Sequence, residues 1–194
     1  MAQTSILDDA SIGGGNRYDN CLLLIRSAPG NALKAATDWE ANGGGGSATH
    51  CAALALVALH RYADAAGKLD ALARATKDSD DRAALYDQAG NAWLLSHQAG
   101  NAQSSFTAAI TFRPRDPDLY VDRARAFAMK PDWLSAGNDL TTAIGMDPNR
   151  SSLYVLRASA LHAQGKKTDA RNDVERALKV DPRNADALEL RGEM

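Results

Sequence analysis

Apolar residues along this chain recur at helical spacing. Ala-rich amphipathic segments of roughly 12–15 residues alternate with short polar breaks, and no strand-like alternation interrupts them. The breaks carry stop and start chemistry: Pro29-Gly30-Asn31, Ala99-Gly100-Asn101, Asp147-Pro148-Asn149, Gln164-Gly165 and Asp181-Pro182-Arg183-Asn184. Proline cannot continue a helix and pushes its predecessor out of the α region. Asn and Asp then accept hydrogen bonds from the free N–H groups of the next helix. The pattern predicts short antiparallel helices joined by tight turns.

The pattern also repeats. Leu119-Tyr120-x-x-Arg123-Ala124 returns 34 residues later as Leu153-Tyr154-x-x-Arg157-Ala158. Ala143-Ile144-x-x-Asp147-Pro148 returns as Ala177-Leu178-x-x-Asp181-Pro182. A weaker copy lies one period upstream, with Leu85-Tyr86-x-x-Ala89-Gly90 and Ala109-Ile110-x-x-Arg113-Pro114. A repeat of this size means stacked units that cannot bury their apolar faces alone.

These residues resemble the tetratricopeptide repeat (TPR) family, whose 34-residue unit is two antiparallel helices, A and B. Unit 151–184 carries the family's pattern with Tyr154, Ala158, Leu161, Ala170, Val174, Ala177 and Pro182. Unit 117–150 carries it with Tyr120, Ala124, Phe127, Ala136, Leu140, Ala143 and Pro148. Unit 83–116 does so with Tyr86, Gly90, Trp93, Ala102, Phe106, Ala109 and Pro114, but its Gly100 falls three places late, which predicts a longer helix A or a different turn. Residues 47–82 and 16–46 read as degenerate units, the latter on Ala32-x-x-Ala35-x-x-x-Trp39, with Gly43–Gly46 as a flexible loop between them. Residues 1–15 read as a disordered lead-in, and 185–194 as the start of a capping helix. The resemblance implies an all-α, right-handed α-solenoid of stacked antiparallel helix pairs, one continuous domain throughout. The N-terminal style, Cys-Leu-Leu-Leu and His-Cys-Ala-Ala around a glycine run, is similar to that of uncharacterised bacterial members of the family.

Composition narrows the function. The 22 basic and 24 acidic side chains balance, and residues 117–184 mix both signs, so no nucleic-acid footprint is present. No apolar run approaches the roughly 20 residues that cross a bilayer. Met1-Ala2-Gln3 opens without a basic or an apolar region, so no signal peptide is read. A mature N-terminus with an added Met would look the same.

Catalytic and metal motifs are missing. His50, His60, His97 and His162 make no metal-ligand spacing, and there is no nucleophile elbow. Gly165-Lys166-Lys167-Thr168 lacks the earlier glycine of a phosphate loop, where Ala160 stands instead. No enzyme activity, cofactor or metal is expected. Cys21 and Cys51 occupy equivalent places on successive A helices when the first two units are aligned on Ala35 and Ala65. Two readings stay open for them: a disulfide, which implies an oxidising compartment, or two buried thiols. The bacterial periplasm is favoured over the cytoplasm on this ground alone.

The resemblance implies that ligands lie against the A helices, in the concave groove. The residues it points to are Asp87, Asn91, Leu94 and Leu95; Asp118, Val121, Arg125, Ala128 and Met129; and Ser152, Val155, Ser159, His162 and Ala163, joined by His50, Leu54 and Val57. The chaperone-tail members of the family clamp a carboxylate with Lys and Asn where this chain has Asp87 with Asn91 and Val121 with Arg125. That departure argues against such a ligand. The resemblance further implies that Arg123 with Asp139, and Arg157 with Asp173, form structural ties between helices A and B or between neighbouring units. The expected function is a non-enzymatic adaptor or scaffold holding a peptide or protein segment of a protein partner, without nucleic acid or a membrane span. The alternatives are a small-molecule or lipid receptor using the same cavity, and a scaffold that self-associates.

Overall fold

The computed structural model describes residues 14–193, so residues 1–13 of the expected lead-in 1–15 lie outside the described residues, while Gly14 and Gly15 open a helix instead. Eleven helices and no strand occur among the described residues. They are α1 (Gly14–Ser27), α2 (Pro29–Ala41), α3 (Gly45–Ala58), α4 (Tyr62–Ala75), α5 (Ser79–Leu95), α6 (Ala99–Phe112), α7 (Pro117–Ala128), α8 (Trp133–Met146), α9 (Ser151–Ala163), α10 (Lys167–Val180) and α11 (Ala185–Glu193). The chain separates into two compact units, divided between Arg113 and Pro114. Each is a run of antiparallel helix pairs in which successive helices pack on one another. The fold class is therefore all-α, of the stacked helix-pair type that the resemblance implies.

Local chemistry explains the helix ends. Asp78 accepts from the backbone N–H of Asp80 and Asp81, Asp116 from Asp118, and Asp132 from Ser135, each satisfying orphan donors of a first turn. Pro29 and Pro117 open α2 and α7, where a missing N–H costs nothing. The Tyr120 hydroxyl donates to the Pro114 carbonyl at 3.1 Å, and Tyr154 repeats the bond to Pro148 at 3.0 Å. The recurring aromatic thus fastens α7 and α9 to the breaks before them.

In the N-terminal unit, α1 packs on α2 and α3, α3 on α4, and α5 between α4 and α6. Cys21 and Cys51 are joined in a disulfide, their Cα atoms 6.3 Å apart, which ties α1 to α3. Tyr18, Ala36, Trp39, Ala48 and Ala52 surround the bridge. Two expectations are corrected here, and a third, on Gly100, is met by one of its alternatives. Ala35 is exposed, and α2 buries Ala32, Ala36 and Trp39 instead, a spacing of four and three that keeps one helical face inward. Gly45 and Gly46 belong to α3, so only half of the glycine run is turn. Gly44 is there because a Cβ would lie 2.4 Å from the Trp39 ring and 2.6 Å from Ala48. The late Gly100 changes no turn, because it sits within the first turn of α6. His97 takes the left-handed conformation (φ 59°) that Gly165 adopts in the last turn of this kind (φ 76°). α5 is indeed long, at 17 residues, and it starts at Ser79, ahead of the expected unit boundary.

In the C-terminal unit, α7 to α10 form two helix pairs and α11 packs on α9 and α10. Small residues line the crossings: Ala124 and Ala136 beside Leu140, then Ala158 and Ala170 beside Val174. α11 contributes Ala187 as its buried residue, against Tyr154, Val155 and Ala177.

Candidate functional site

The two Arg–Asp pairs form inside their own repeats. Arg123 donates from Nε and Nη2 to both oxygens of Asp139 at 2.8 and 2.7 Å. Arg157 grips Asp173 the same way at 2.7 and 2.8 Å. Asp139 and Asp173 are buried, 6% and 2% exposed, so each carboxylate depends on its planar partner. The fork raises both guanidinium pKa values, with the carboxylate hydrogen bonds the largest cause. Arg157 also donates to Thr141 Oγ1 at 3.1 Å, reaching the preceding helix pair. These arginines are fully engaged and hold the A helix to the B helix.

What they hold in place is an apolar recess in the C-terminal unit. Val121, Ala124, Arg125 and Ala128 of α7, Trp133, Ala136 and Leu140 of α8, and Leu156, Ser159 and Ala160 of α9 line a cavity of about 120 Å³. Its floor is buried core, and its mouth carries Leu156 (38% exposed), Arg125 and Ser159. Arg125 is drawn to Asp122, with Nη1 2.9 Å from the carboxylate, and remains largely exposed. Ser159 Oγ donates to the Val155 carbonyl at 3.1 Å. The recess therefore offers an apolar hole about the size of one aliphatic side chain, with a cation at its edge.

Of the residues singled out in the sequence, Val121, Arg125, Ala128 and Ser159 meet at this recess. Met129 is exposed at the end of α7, outside the lining. Asp118 pairs with Arg150. Val155 is buried against α11. His162 stands partly buried, with Nδ1 lacking a hydrogen-bond partner. In the other unit, Leu94 is buried, Leu95 is exposed, and Asn91 Nδ2 donates to the Asp87 carbonyl and carboxylate at 3.1 Å. His50 is not a free groove residue. Tyr18 Oη lies 2.6 Å from Nδ1, and Gln88 Oε1 lies 2.7 Å from Nε2. Burial lowers its pKa, opposed in part by the Gln88 bond.

Leu156 and Trp133 were not read from the sequence as site residues. A single leucine among helical positions is not a signal, and Trp133 opens α8, away from the A-helix positions the resemblance points to. A second cleft, about 290 Å³, runs between α8 and α10 over the Arg157–Asp173 pair, with Leu134, Asn138, Lys166 and Arg176 on its walls. Its central charges already satisfy one another. Among the described residues no cluster of His, Cys, Asp or Glu is placed to hold a metal ion, and no helix is long and apolar enough to cross a membrane.

Comparison with known proteins places these features in context. The tetratricopeptide repeat family model matches residues 155–194. No curated protein matches the chain in sequence. Among solved structures, YrrB, described as a TPR protein with an unusual peptide-binding site, superposes with a TM-score of 0.74 at 15% identity, over 91% of this chain and 90% of its own. MamA from Desulfovibrio magneticus RS-1 superposes with a TM-score of 0.73 at 16% identity, over 88% of this chain and 94% of its own. The second TPR domain of human RPAP3, solved in complex with the HSP70 peptide SGPTIEEVD, gives a TM-score of 0.53 at 25% identity, over 56% of this chain and 90% of its own. YrrB and MamA are similar in fold alone.

Proposed function

We propose that this chain is a tetratricopeptide-repeat protein that works as a non-enzymatic adaptor, binding a peptide segment of a partner protein against its A helices. The observation that carries this reading is the recess between α7, α8 and α9, which is apolar within, cationic at the rim and open at its mouth. An extended or helical segment would place one aliphatic side chain in it, with backbone or acidic groups near Arg125. Peptide complexes of similar folds, such as that of RPAP3, support the class of ligand. The particular acidic tail bound there is not carried over, because Val121 stands where the carboxylate-clamping members have Lys. A receptor for a larger apolar molecule fits less well, since such sites enclose roughly 300–1,000 Å³ and this recess is about 120 Å³. The Cys21–Cys51 bridge supports an oxidising working environment.

Selection from a displayed random-peptide library tests the reading. Wild type is the bait and Arg125→Glu/Leu156→Glu the counter-bait, with helical content checked by circular dichroism. The expected result is enrichment of segments sharing an aliphatic anchor that bind the folded variant at least about 10-fold more weakly, the scale of one lost anchor contact. Peptides that bind both forms alike, or no enrichment at all, would remove the recess from the account.

A further inference from the structure

We propose that the Cys21–Cys51 disulfide is an oxidation-dependent latch: it docks α1 onto α2 and α3, while α2 to α6 remain folded without it. The argument begins with how little else holds α1. The helix packs on α2 and α3 along one side. Among its described side chains, Tyr18 and Cys21 are buried, and Leu22, Leu24 and Ile25 are only partly covered. Asp19, Asn20, Leu23, Arg26 and Ser27 are exposed. A helix of 14 residues is marginal by itself in water and depends on what fastens it to its neighbours.

Tyr18 and Arg17 also tie α1 to its neighbours. Tyr18 Oη donates to Nδ1 of the buried His50, and Arg17 lies 5.5 Å over the Trp39 ring. Neither is covalent, and the second lies near the surface. The bridge spans a sequence separation of 30, so it removes a large set of open conformations in which α1 hangs free. The helices beneath do not need α1 in the same way. α2 shares Ala36 and Trp39 with the cluster around the bridge, but it also buries Ala32, packs Leu33 on the core of the helices beneath, and holds Gly44 directly under the Trp39 ring. Leu56 of α3 packs with Ala65 and Ala66 of α4 and Ala92 of α5. That core continues through α5 and α6 without involving α1.

Burial of the sulfurs makes the latch report its own state. Cys51 is sealed and Cys21 is 8% exposed, so an exchange partner reaches the bridge only when α1 lifts. Closure is an ordinary thiol–disulfide exchange. One protein thiolate attacks a small-molecule disulfide, forming a mixed disulfide and releasing one thiol. The second protein thiolate then displaces the other thiol. Two electrons pass from the cysteines to the small disulfide, and the two protons end on its thiols. Opening is the reverse, driven by a small-molecule thiol.

Hydrogen exchange read by mass spectrometry tests the latch on the full chain. Protein oxidised with oxidised glutathione is compared with protein reduced by a water-soluble phosphine, and with Cys21→Ala/Cys51→Ala, which carries no thiol. Peptides across residues 17–27 are expected to exchange on the order of 10²-fold faster in both open forms, while peptides of α4 to α6 keep their protection. Re-oxidation of the reduced protein restores α1. Three results would overturn the proposal: α1 equally protected in all forms, protection lost throughout α2 to α6 on reduction, or two titratable thiols remaining after glutathione oxidation.

Discussion

Substituting Gly90 by alanine sets two physical effects against each other, and the structure decides which one wins. Gly90 lies inside α5, where glycine costs about 0.5–1 kcal/mol relative to alanine. Helix propensity alone therefore predicts that Gly90→Ala stabilises the protein. A Cβ at this position, however, would sit 2.6, 2.7 and 2.8 Å from Cε1, Cζ and Cδ1 of Phe106. Carbon atoms prefer about 3.5–4.0 Å. Phe106 is fully buried, so its ring has no open side to retreat into. Overpacking of this kind costs about 1–3 kcal/mol, which leaves Gly90→Ala destabilised by about 1 kcal/mol after the propensity gain.

The neighbouring repeats supply the control. Where this repeat has Gly90 with Phe106, the next two have Ala124 with Leu140 and Ala158 with Val174, each pair 16 residues apart. The alanine thus accompanies a smaller facing side chain. Phe106→Leu should accordingly relieve Gly90→Ala, giving a coupling of about 2 kcal/mol in a double-mutant cycle. Urea unfolding followed by circular dichroism at 222 nm, with fits to the four forms, measures it. A more stable Gly90→Ala protein, or a cycle that closes within about 0.5 kcal/mol, would refute the reasoning.

Other consequences are equally direct. Arg157→Leu leaves the buried Asp173 carboxylate without its fork and is expected to cost about 3 kcal/mol, whereas Arg157→Leu/Asp173→Leu recovers most of that loss in thermal unfolding. His50 has a folded pKa below its ordinary value, because burial disfavours the cation. Stability from the neutral ring is thus fully present above about pH 6.5 and falls as pH drops through the window towards the folded pKa. Between pH 8 and pH 5.5 the loss should reach at most about 1.4 kcal/mol, and His50→Gln should lack that slope in parallel urea titrations.

Helix-level organisation was readable from residue spacing. The Tyr, Ala and Pro positions of units 117–150 and 151–184 recur because each repeat meets the same neighbours, so identical local packing demands identical residue sizes. The Arg–Asp pairs were readable for the same reason: a charged residue replacing an expected leucine calls for a partner at a definite place on the facing helix. The sequence could not say whether that partner lay within the repeat or beyond it. The structure shows it within, with Thr141 adding the link outward.

The first two units were harder to read, and the cause is physical. With Ala-rich helices, a one-residue shift leaves the composition of the inward face almost unchanged, so Ala35 and Ala36 look alike until α2 is packed. The glycine run looked like a loop because glycine is a poor helix former, yet Gly44 is required by contact with Trp39 and the next two residues simply enter α3. His97 stands where glycine was expected, and its left-handed backbone is visible only in three dimensions.

Periodic spacing by itself determined the helix type and the repeat length, since these follow from local geometry shared by the copies, and the resemblance added the residues that meet at the crossings of units 117–150 and 151–184. Tertiary structure alone decided that Cys21 meets Cys51, that His50 is consumed by Tyr18 and Gln88, and that Leu156 and Trp133 complete the recess with Val121 and Arg125. Those outcomes depend on distances between side chains from different helices, which residue spacing along the chain does not encode.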